Sequence, residues 1–278
     1  MTHSDRSPIL TVDGLTKTYR SDRSLLKRSG VKLTAVNNIS LEIGRGEFFG
    51  LVGASGSGKT TLGRLILKLE TFDAGSIRFN GLQVNDLTGS SLKTFRRQIQ
   101  LIPQDPYQSL NPYLSVFDTI AEPLIIHKLG SPKDRKERVR ESLEAAGLTP
   151  AGDFLQRYPH QLSGGQRQRA AIARAMALEP EFVVADEPTS MLDASISFTI
   201  FKLLSEIQKH KNVTFLFITH DLAAARFLCN RIAVIYQGEI VESGPTREVI
   251  DHPQTEYTKS LIQAQPSFSF TQKASRAP

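Results

Sequence analysis

Short apolar runs separated by turn residues fill the first eighty positions. Ile9 to Val12, Asn38-Ile-Ser-Leu-Glu-Ile43 and Gly75-Ser-Ile-Arg-Phe-Asn-Gly81 predict strands of a β-rich lobe. Inside it, Glu47-Phe-Phe-Gly-Leu-Val52 reads as a buried strand and Thr61-Leu-Gly-Arg-Leu-Ile-Leu-Lys68 as a helix, joined by a Gly- and Ser-rich loop. After Gln104 the period becomes helical. Ser131-Pro132 supplies an N-cap and a proline at the first helical position, Asp134 completes a capping-box-like pair, Val139, Leu143 and Ala146 mark one apolar face, and Gly147 ends it. Helices are therefore expected from about Pro106 to Met176. The stretch Gln166 to Leu178, rich in Ala and Arg, continues the pattern. Strands return at Phe182 to Ala185 and Thr214 to Thr219, and Tyr236-Gln-Gly-Glu239 predicts a closing hairpin. The pattern is that of an α/β core carrying a helical insertion.

Composition narrows the picture. The chain has 278 residues, 40% of them hydrophobic, enough for a full α/β core. No run approaches the ~18 to 20 apolar residues of a spanning helix, and the first residues lack the apolar core of a secretory signal, so a soluble protein that stays where it is made is expected. A single cysteine, Cys229, excludes an internal disulfide and a Cys-rich metal site and suits a reducing cytoplasm. Its setting, Arg226-Phe-Leu-Cys-Asn230, reads as helical core. The net charge of +6 is partly local: Arg20, Arg23, Lys27, Arg28 and Lys32 face only Asp22 between Tyr19 and Thr34. This segment reads first as a solvated loop, with anionic lipid or the cytoplasmic loops of a membrane protein as the alternative contact. It lacks interleaved aromatics, helix-turn-helix pattern and zinc spacing, so nucleic acid is not an expected partner.

The strongest chemistry lies in Gly53-Ala-Ser55-Gly-Ser57-Gly-Lys59-Thr60. Binding a phosphate tail requires a turn tight enough to aim successive backbone N–H groups inward, and Gly53, Gly56 and Gly58 stand where a Cβ would obstruct it. Lys59 is placed to reach the β- and γ-phosphates, Thr60 to offer a hydroxyl to Mg²⁺, and the helix that begins here directs its positive end at the anion. The loop alone leaves kinases, GTPases and many ATPases open. Leu162-Ser163-Gly164-Gly165-Gln166 is a second helix-start anion site, with a hydroxyl and two glycine N–H groups. Phe182-Val-Val-Ala-Asp186-Glu187 is an apolar strand that delivers two carboxylates at its C-terminal edge.

Leu162 to Gln166, extended by Arg167-Gln168-Arg169, resembles the signature sequence of the ATP-binding cassette (ABC) family, and the other motifs occur in that family's order. The resemblance covers roughly Ile9 to Val249. It implies a P-loop NTPase fold, an α/β ABC nucleotide-binding domain with a β-rich N-terminal lobe and an inserted α-helical subdomain at about 106–176. The cassette is placed at 1–250, with a subfamily C-terminal extension and mobile tail at 251–278. The implied ligands are ATP and Mg²⁺, the metal held by Thr60, Gln104 and Asp186. By resemblance, Glu187 polarises the attacking water, and Gln104, in Ile102-Pro-Gln-Asp-Pro106, touches both Mg²⁺ and that water. His220, in Phe217-Ile-Thr-His-Asp221, contacts the γ-phosphate, and Tyr19 stacks on adenine. Ser55, Ser57 and Thr61 complete the phosphate loop, while Ser163, Gly164, Gly165 and Gln166 face the γ-phosphate held by a second, head-to-tail ATP-binding subunit. Ser190-Met-Leu-Asp193 resembles the loop through which the two subunits sense each other; Met191 stands where a smaller residue is usual.

Four further features together resemble the oligopeptide, dipeptide and nickel import ATPases. They are the basic segment after Tyr19, Gln104 to Pro112, Tyr158-Pro-His-Gln161, and His252-Pro-Gln-Thr-Glu-Tyr-Thr-Lys-Ser-Leu261. The implied partners are integral-membrane permease subunits, the second ATP-binding subunit and, indirectly, an extracytoplasmic solute-binding protein. The implied location is the cytoplasmic face of the cell membrane. Tyr107, Leu110 and Tyr113 are the candidates for receiving a permease helix. A soluble ABC ATPase acting on nucleic acid or ribosomes is the alternative; it predicts a tandem second cassette or a long heptad insertion, and the sequence has neither.

Overall fold

The computed structural model describes residues 7–21 and 31–265. Most of the basic segment, Arg23 to Arg28 included, and the tail from Pro266 lie outside the described residues. The chain divides into two compact units, one formed by residues up to Leu87 together with those from Leu216 onward, the other by Thr88–Phe215.

In the first unit, β1 (Leu10–Ser21) lies antiparallel between β2 (Val31–Ile43) and β4 (Ala74–Phe79), and β5 (Leu82–Gln83) extends the sheet beyond β4. β1 and β2 run much further than the apolar runs predict. Register shifts between Val12 and Thr18, with Gly14 and Asn38 at positive φ, break the alternation without ending the pairing. Arg20 consequently pairs with Lys32 across two strands, so the ends of the basic segment are strand and not loop.

β3 (Phe48–Val52) is buried at every position and runs parallel to β9 (Arg231–Tyr236), which turns back into β10 (Glu239–Pro245). The turn residues Gln237 and Gly238 have φ of 49° and 84°, the doubly left-handed turn that matches strand twist. α1 (Lys59–Ile66) follows β3, and α8 (Leu222–Leu228), α9 (Thr246–Asp251) and α10 (Glu256–Gln263) lie in the C-terminal part. Cys229 is buried as expected but is not helical: it is the extended C-cap of α8, from which Asn230 turns to accept the Phe48 N–H at 2.9 Å.

In the second unit, α2 (Gly89–Gln98) leads into β6 (Ile99–Ile102), which pairs in parallel with β7 (Phe182–Asp186). Between them come α3 (Pro106–Ser109), α4 (Val116–Ile126), α5 (Pro132–Ala145) and α6 (Gly164–Met176), with α7 (Ala194–Lys211) after β7. Leu110, Ile120, Leu124, Val139, Leu143 and Leu162 share one apolar core. The capping box of α5 forms as the sequence predicts: Ser131 N–H donates to Asp134 Oδ2 at 2.8 Å, and Asp134 N–H to Ser131 Oγ at 3.3 Å. β8 (Thr214–Thr219), buried throughout, carries the chain from this unit back into the first. There Phe217 meets Phe48 edge-on, ring centroids 6.0 Å apart.

Candidate functional site

The phosphate loop is wedged between backbone on two sides. A Cβ on Gly53 would lie 2.3 Å from the Ile235 carbonyl oxygen, and one on Gly58, at φ 108°, would lie 2.2 Å from that of Ala35. Both neighbours are strand backbone and cannot yield cheaply. Gly56 meets nothing within 4 Å; its φ of 78° alone calls for glycine. The Gly238 N–H donates to the Ser57 carbonyl at 3.0 Å, so the β9–β10 turn also holds the loop. Lys59 is 4% exposed, with Nζ donating to the carbonyls of Gly53 and Ala54 at 2.8 Å each. Thr60 and Thr61 follow in the first turn of α1, whose N-cap is Gly58.

These residues fit a polyphosphate. The Ser57 hydroxyl is buried without a hydrogen-bond partner, a costly state for a group that an anion could satisfy. The glycines leave backbone where side chains would fill the cradle, and a buried ammonium and a helix N-terminus supply positive charge to the same few residues. Ser55 and Gly56 are exposed at the loop's tip.

Tyr19 sits near the end of β1, 36% exposed. Its hydroxyl donates to the Glu70 carboxylate, and Lys17 Nζ lies 5.2 Å from the ring centroid. Burial first, then the bond to Glu70, raises the hydroxyl above its usual 10.0. Glu70, which the sequence pattern does not single out, is what fixes this ring. His220 is exposed directly after β8, followed by Asp221, whose carboxylate caps α8 through the N–H groups of Ala223 and Ala224.

The second unit assembles the carboxylates. Parallel pairing aligns Ile102 with Ala185, so the residue two beyond each, Gln104 and Glu187, emerges at the same sheet edge. Gln104 Nε2 donates to Glu187 Oε2 at 3.2 Å. Glu187 has φ 43°, a strained value for a residue with a side chain and a mark of positions held for more than packing. Asp186, the last residue of β7, is 9% exposed.

At the start of α6, Ser163 Oγ accepts the Gln166 N–H at 3.3 Å and Gln166 Oε1 accepts the Ser163 N–H at 3.0 Å. Gly165 has a packing reason as well: a Cβ there would lie 2.9 Å from Ile196 Cγ2 in α7. Tyr107, 53% exposed, has the Arg167 guanidinium 4.1 Å from its ring centroid, and Tyr113 is 87% exposed. Leu110 is 3% exposed inside the helical core, so it does not belong to a docking surface with them. The short α3, capped by Asp105, turns the chain so that Leu110 points inward. Met191 is exposed.

Among the described residues no three His, Cys, Asp or Glu side chains converge to cage a metal. Within the second unit, Gln104 and Asp186 offer one amide and one carboxylate, the sparse kind of donor set that suits Mg²⁺, which keeps waters and takes substrate phosphate oxygens. Among the described residues no helix is long and apolar enough to cross a membrane.

Over residues 36–190 the sequence matches the ABC transporter family. The oligopeptide transport ATP-binding protein OppF of Streptococcus mutans serotype c is 49% identical over 236 residues, spanning 84% of this chain and 76% of that protein. The glutathione import ATP-binding protein GsiA of Pectobacterium atrosepticum is 44% identical over 259 residues, spanning 93% of this chain and 41% of that longer protein. Among solved structures, the ATP-binding cassette MJ0796, dimeric in a post-hydrolysis state and bound to ADP and Pi, matches with a TM-score of 0.75 at 34% identity. The match covers 86% of this chain and 99% of that one.

Proposed function

This chain belongs to the ABC transporter family, and we propose that it is the ATP-hydrolysing subunit of a membrane importer, turning closure of an ATP-bound dimer into solute uptake. The observation that carries the catalytic part is the Gln104–Glu187 contact on aligned strand ends. Phosphoryl transfer leaves a protein little to do beyond placing a nucleophile and neutralising charge. Glu187 is the acceptor for the water's proton, and Gln104 orients that carboxylate. Lys59 and the phosphate-loop residues Gly53, Ser55, Gly56, Ser57, Gly58, Thr60 and Thr61 hold the triphosphate, His220 contacts its terminal phosphate, and Tyr19 is the adenine platform. Thr60, Gln104 and Asp186 would hold Mg²⁺, whose contribution when bound is to neutralise phosphate charge.

Ser163, Gly164, Gly165 and Gln166 serve a partner's nucleotide. The dimeric cassette bound to ADP and Pi supports that arrangement. ATP favours closure because it touches both faces, which do not meet in an open dimer. The relatives named for oligopeptide and glutathione import support peptide-like cargo over nickel, and an importer over a soluble ATPase acting on nucleic acid. On this reading the protein works at the cytoplasmic face of the membrane against permease subunits, with Tyr107 and Tyr113 as the exposed candidates for that contact, and an external binding protein delivers the solute.

Glu187→Gln tests the assignment. The variant is expected to bind ATP, to hydrolyse it about 10² to 10⁴-fold more slowly, and to accumulate as an ATP-dependent dimer in size-exclusion chromatography. Wild-type turnover would remove Glu187 from its role, and copurification of the wild type with membrane subunits tests the importer assignment.

A further inference from the structure

The last described helix reaches the phosphate-binding residues of its own unit at two points. At one end the Tyr257 hydroxyl accepts the Ala54 N–H at 3.1 Å. The Ala54 carbonyl accepts from Lys59 Nζ at 2.8 Å, so one loop residue is tied to the lysine on one side and to α10 on the other. The direction of the tyrosine is fixed: its ring lies on Tyr236 with centroids 4.1 Å apart and planes 30° from parallel, and Gln237 Nε2 donates to the Tyr236 hydroxyl at 3.1 Å. Just past the other end of α10, the Gln265 amide spans the segment after β8. Its Oε1 accepts the Leu222 N–H at 3.0 Å, and its Nε2 donates to the His220 carbonyl.

An eight-residue helix does not persist alone in water, so α10 depends on its anchorage. Glu242 in β10 provides it, accepting the N–H groups of Gln254 and Thr255 at 2.9 and 3.1 Å and the Thr255 hydroxyl at 3.1 Å. Thr255 in turn caps α10 through the Thr258 N–H. A single short element thus holds both the loop of Lys59 and the segment that carries His220.

We propose that α10 is a brace for the nucleotide site, with Tyr257 and Gln265 as positioning residues that set Lys59 and His220 without touching nucleotide. The proposal rests on the ATP-binding reading given above. Its two ends have separable effects: Tyr257 acts on the ground-state grip of the phosphates, Gln265 on the placement of His220.

The test uses the full-length protein. Tyr257→Phe deletes the acceptor and keeps the stacked ring; Gln265→Ala deletes both bonds of the amide. ATP affinity is read by equilibrium titration, kcat and KM by steady-state hydrolysis, and nucleotide-free Tm by calorimetry. One neutral hydrogen bond corresponds to about a three- to tenfold effect. Tyr257→Phe is expected to raise Kd and KM by that factor with kcat within about twofold, and Gln265→Ala to lower kcat with Kd unchanged. Nucleotide-free Tm is expected to stay near wild type in both. Wild-type kinetics in both variants would overturn the brace, as would parallel losses of affinity, kcat and Tm, which mark a merely structural helix. Lys59→Ala separates the two levels. If it binds ATP like wild type, the functional reading fails and the brace with it; if it loses ATP while Tyr257→Phe and Gln265→Ala are unaffected, only the brace falls.

Discussion

Gly58→Ala and Gly56→Ala, compared side by side, test whether the phosphate loop is fixed by its neighbours or only by its own backbone. Both positions have positive φ, 108° and 78°. An added Cβ in the left-handed region costs about 1 to 2 kcal/mol. At Gly56 nothing lies within 4 Å, so that is the whole effect. At Gly58 the Cβ would also sit 2.2 Å from the Ala35 carbonyl oxygen. That oxygen cannot swing aside, because β2 is paired with β1 on either side of it and the Asn37 N–H donates to the Gly238 carbonyl at 2.8 Å. Overpacking against a fixed neighbour adds about 1 to 3 kcal/mol, which brings Gly58→Ala to about 2 to 5 kcal/mol. For a chain of this size each kcal/mol corresponds to about 2 to 4 °C in Tm. Calorimetry of the nucleotide-free proteins is therefore expected to place Gly58→Ala several degrees below Gly56→Ala, and both below wild type. Equal losses, or a larger loss at Gly56, would refute the argument that β2 backs the loop.

Two further outcomes follow from other sites. Burial pushes the Cys229 thiol far above its usual range, with Glu47 adding to the effect, so iodoacetamide should leave the native protein unmodified and alkylate one thiol per chain in denaturant; rapid native labelling would contradict the packing of Cys229 beside Gly50. Burial also pushes the Glu242 carboxyl up, but hydrogen bonds from Thr258, Gln254 and Thr255 outweigh it and hold the group below its ordinary 4.5. A carboxyl depressed in the folded state stabilises fully above its unfolded value and loses that contribution as pH falls through its folded one. Wild-type Tm should thus fall more steeply than that of Glu242→Gln between pH 5 and the acid limit; identical slopes would show that Glu242 does not anchor α10.

The candidate nucleotide site was legible where local rules decide it. The Gly- and Ser-rich run of residues 53–58, the strand before it and the helix after it are readable from local pattern, as is α5 from its cap and apolar stripe. The backbone that demands glycine at 53 and 58, however, belongs to Ile235 and Ala35. Legibility ended where a contact depends on register between distant strands. Gln104 and Glu187 were named by resemblance, but only the alignment of Ile102 with Ala185 shows why they meet. Leu110 looked like its exposed aromatic neighbours because the capped turn at Asp105 that buries it leaves little trace in hydrophobic periodicity. The length of β1 and β2 was hidden by bulges that interrupt alternation without breaking the ladder. α2 buries only Phe95 and so lacks the apolar stripe that announces a helix. Tyr257 read as one residue of a subfamily motif, since nothing near it in sequence marks a contact 203 residues away.

That distance also sets an order of events on the ribosome. Synthesis runs from the amino terminus, and the segment proposed to grip phosphate emerges before its supports. Its supports come late: the turn at Gly238 bonds to Ser57, and the hydroxyl of Tyr257 to Ala54. A nascent chain exposes its glycine-rich loop long before the residues that shape it have been translated. The proposed grip on nucleotide therefore waits for Tyr257, made 203 residues after the Ala54 it supports.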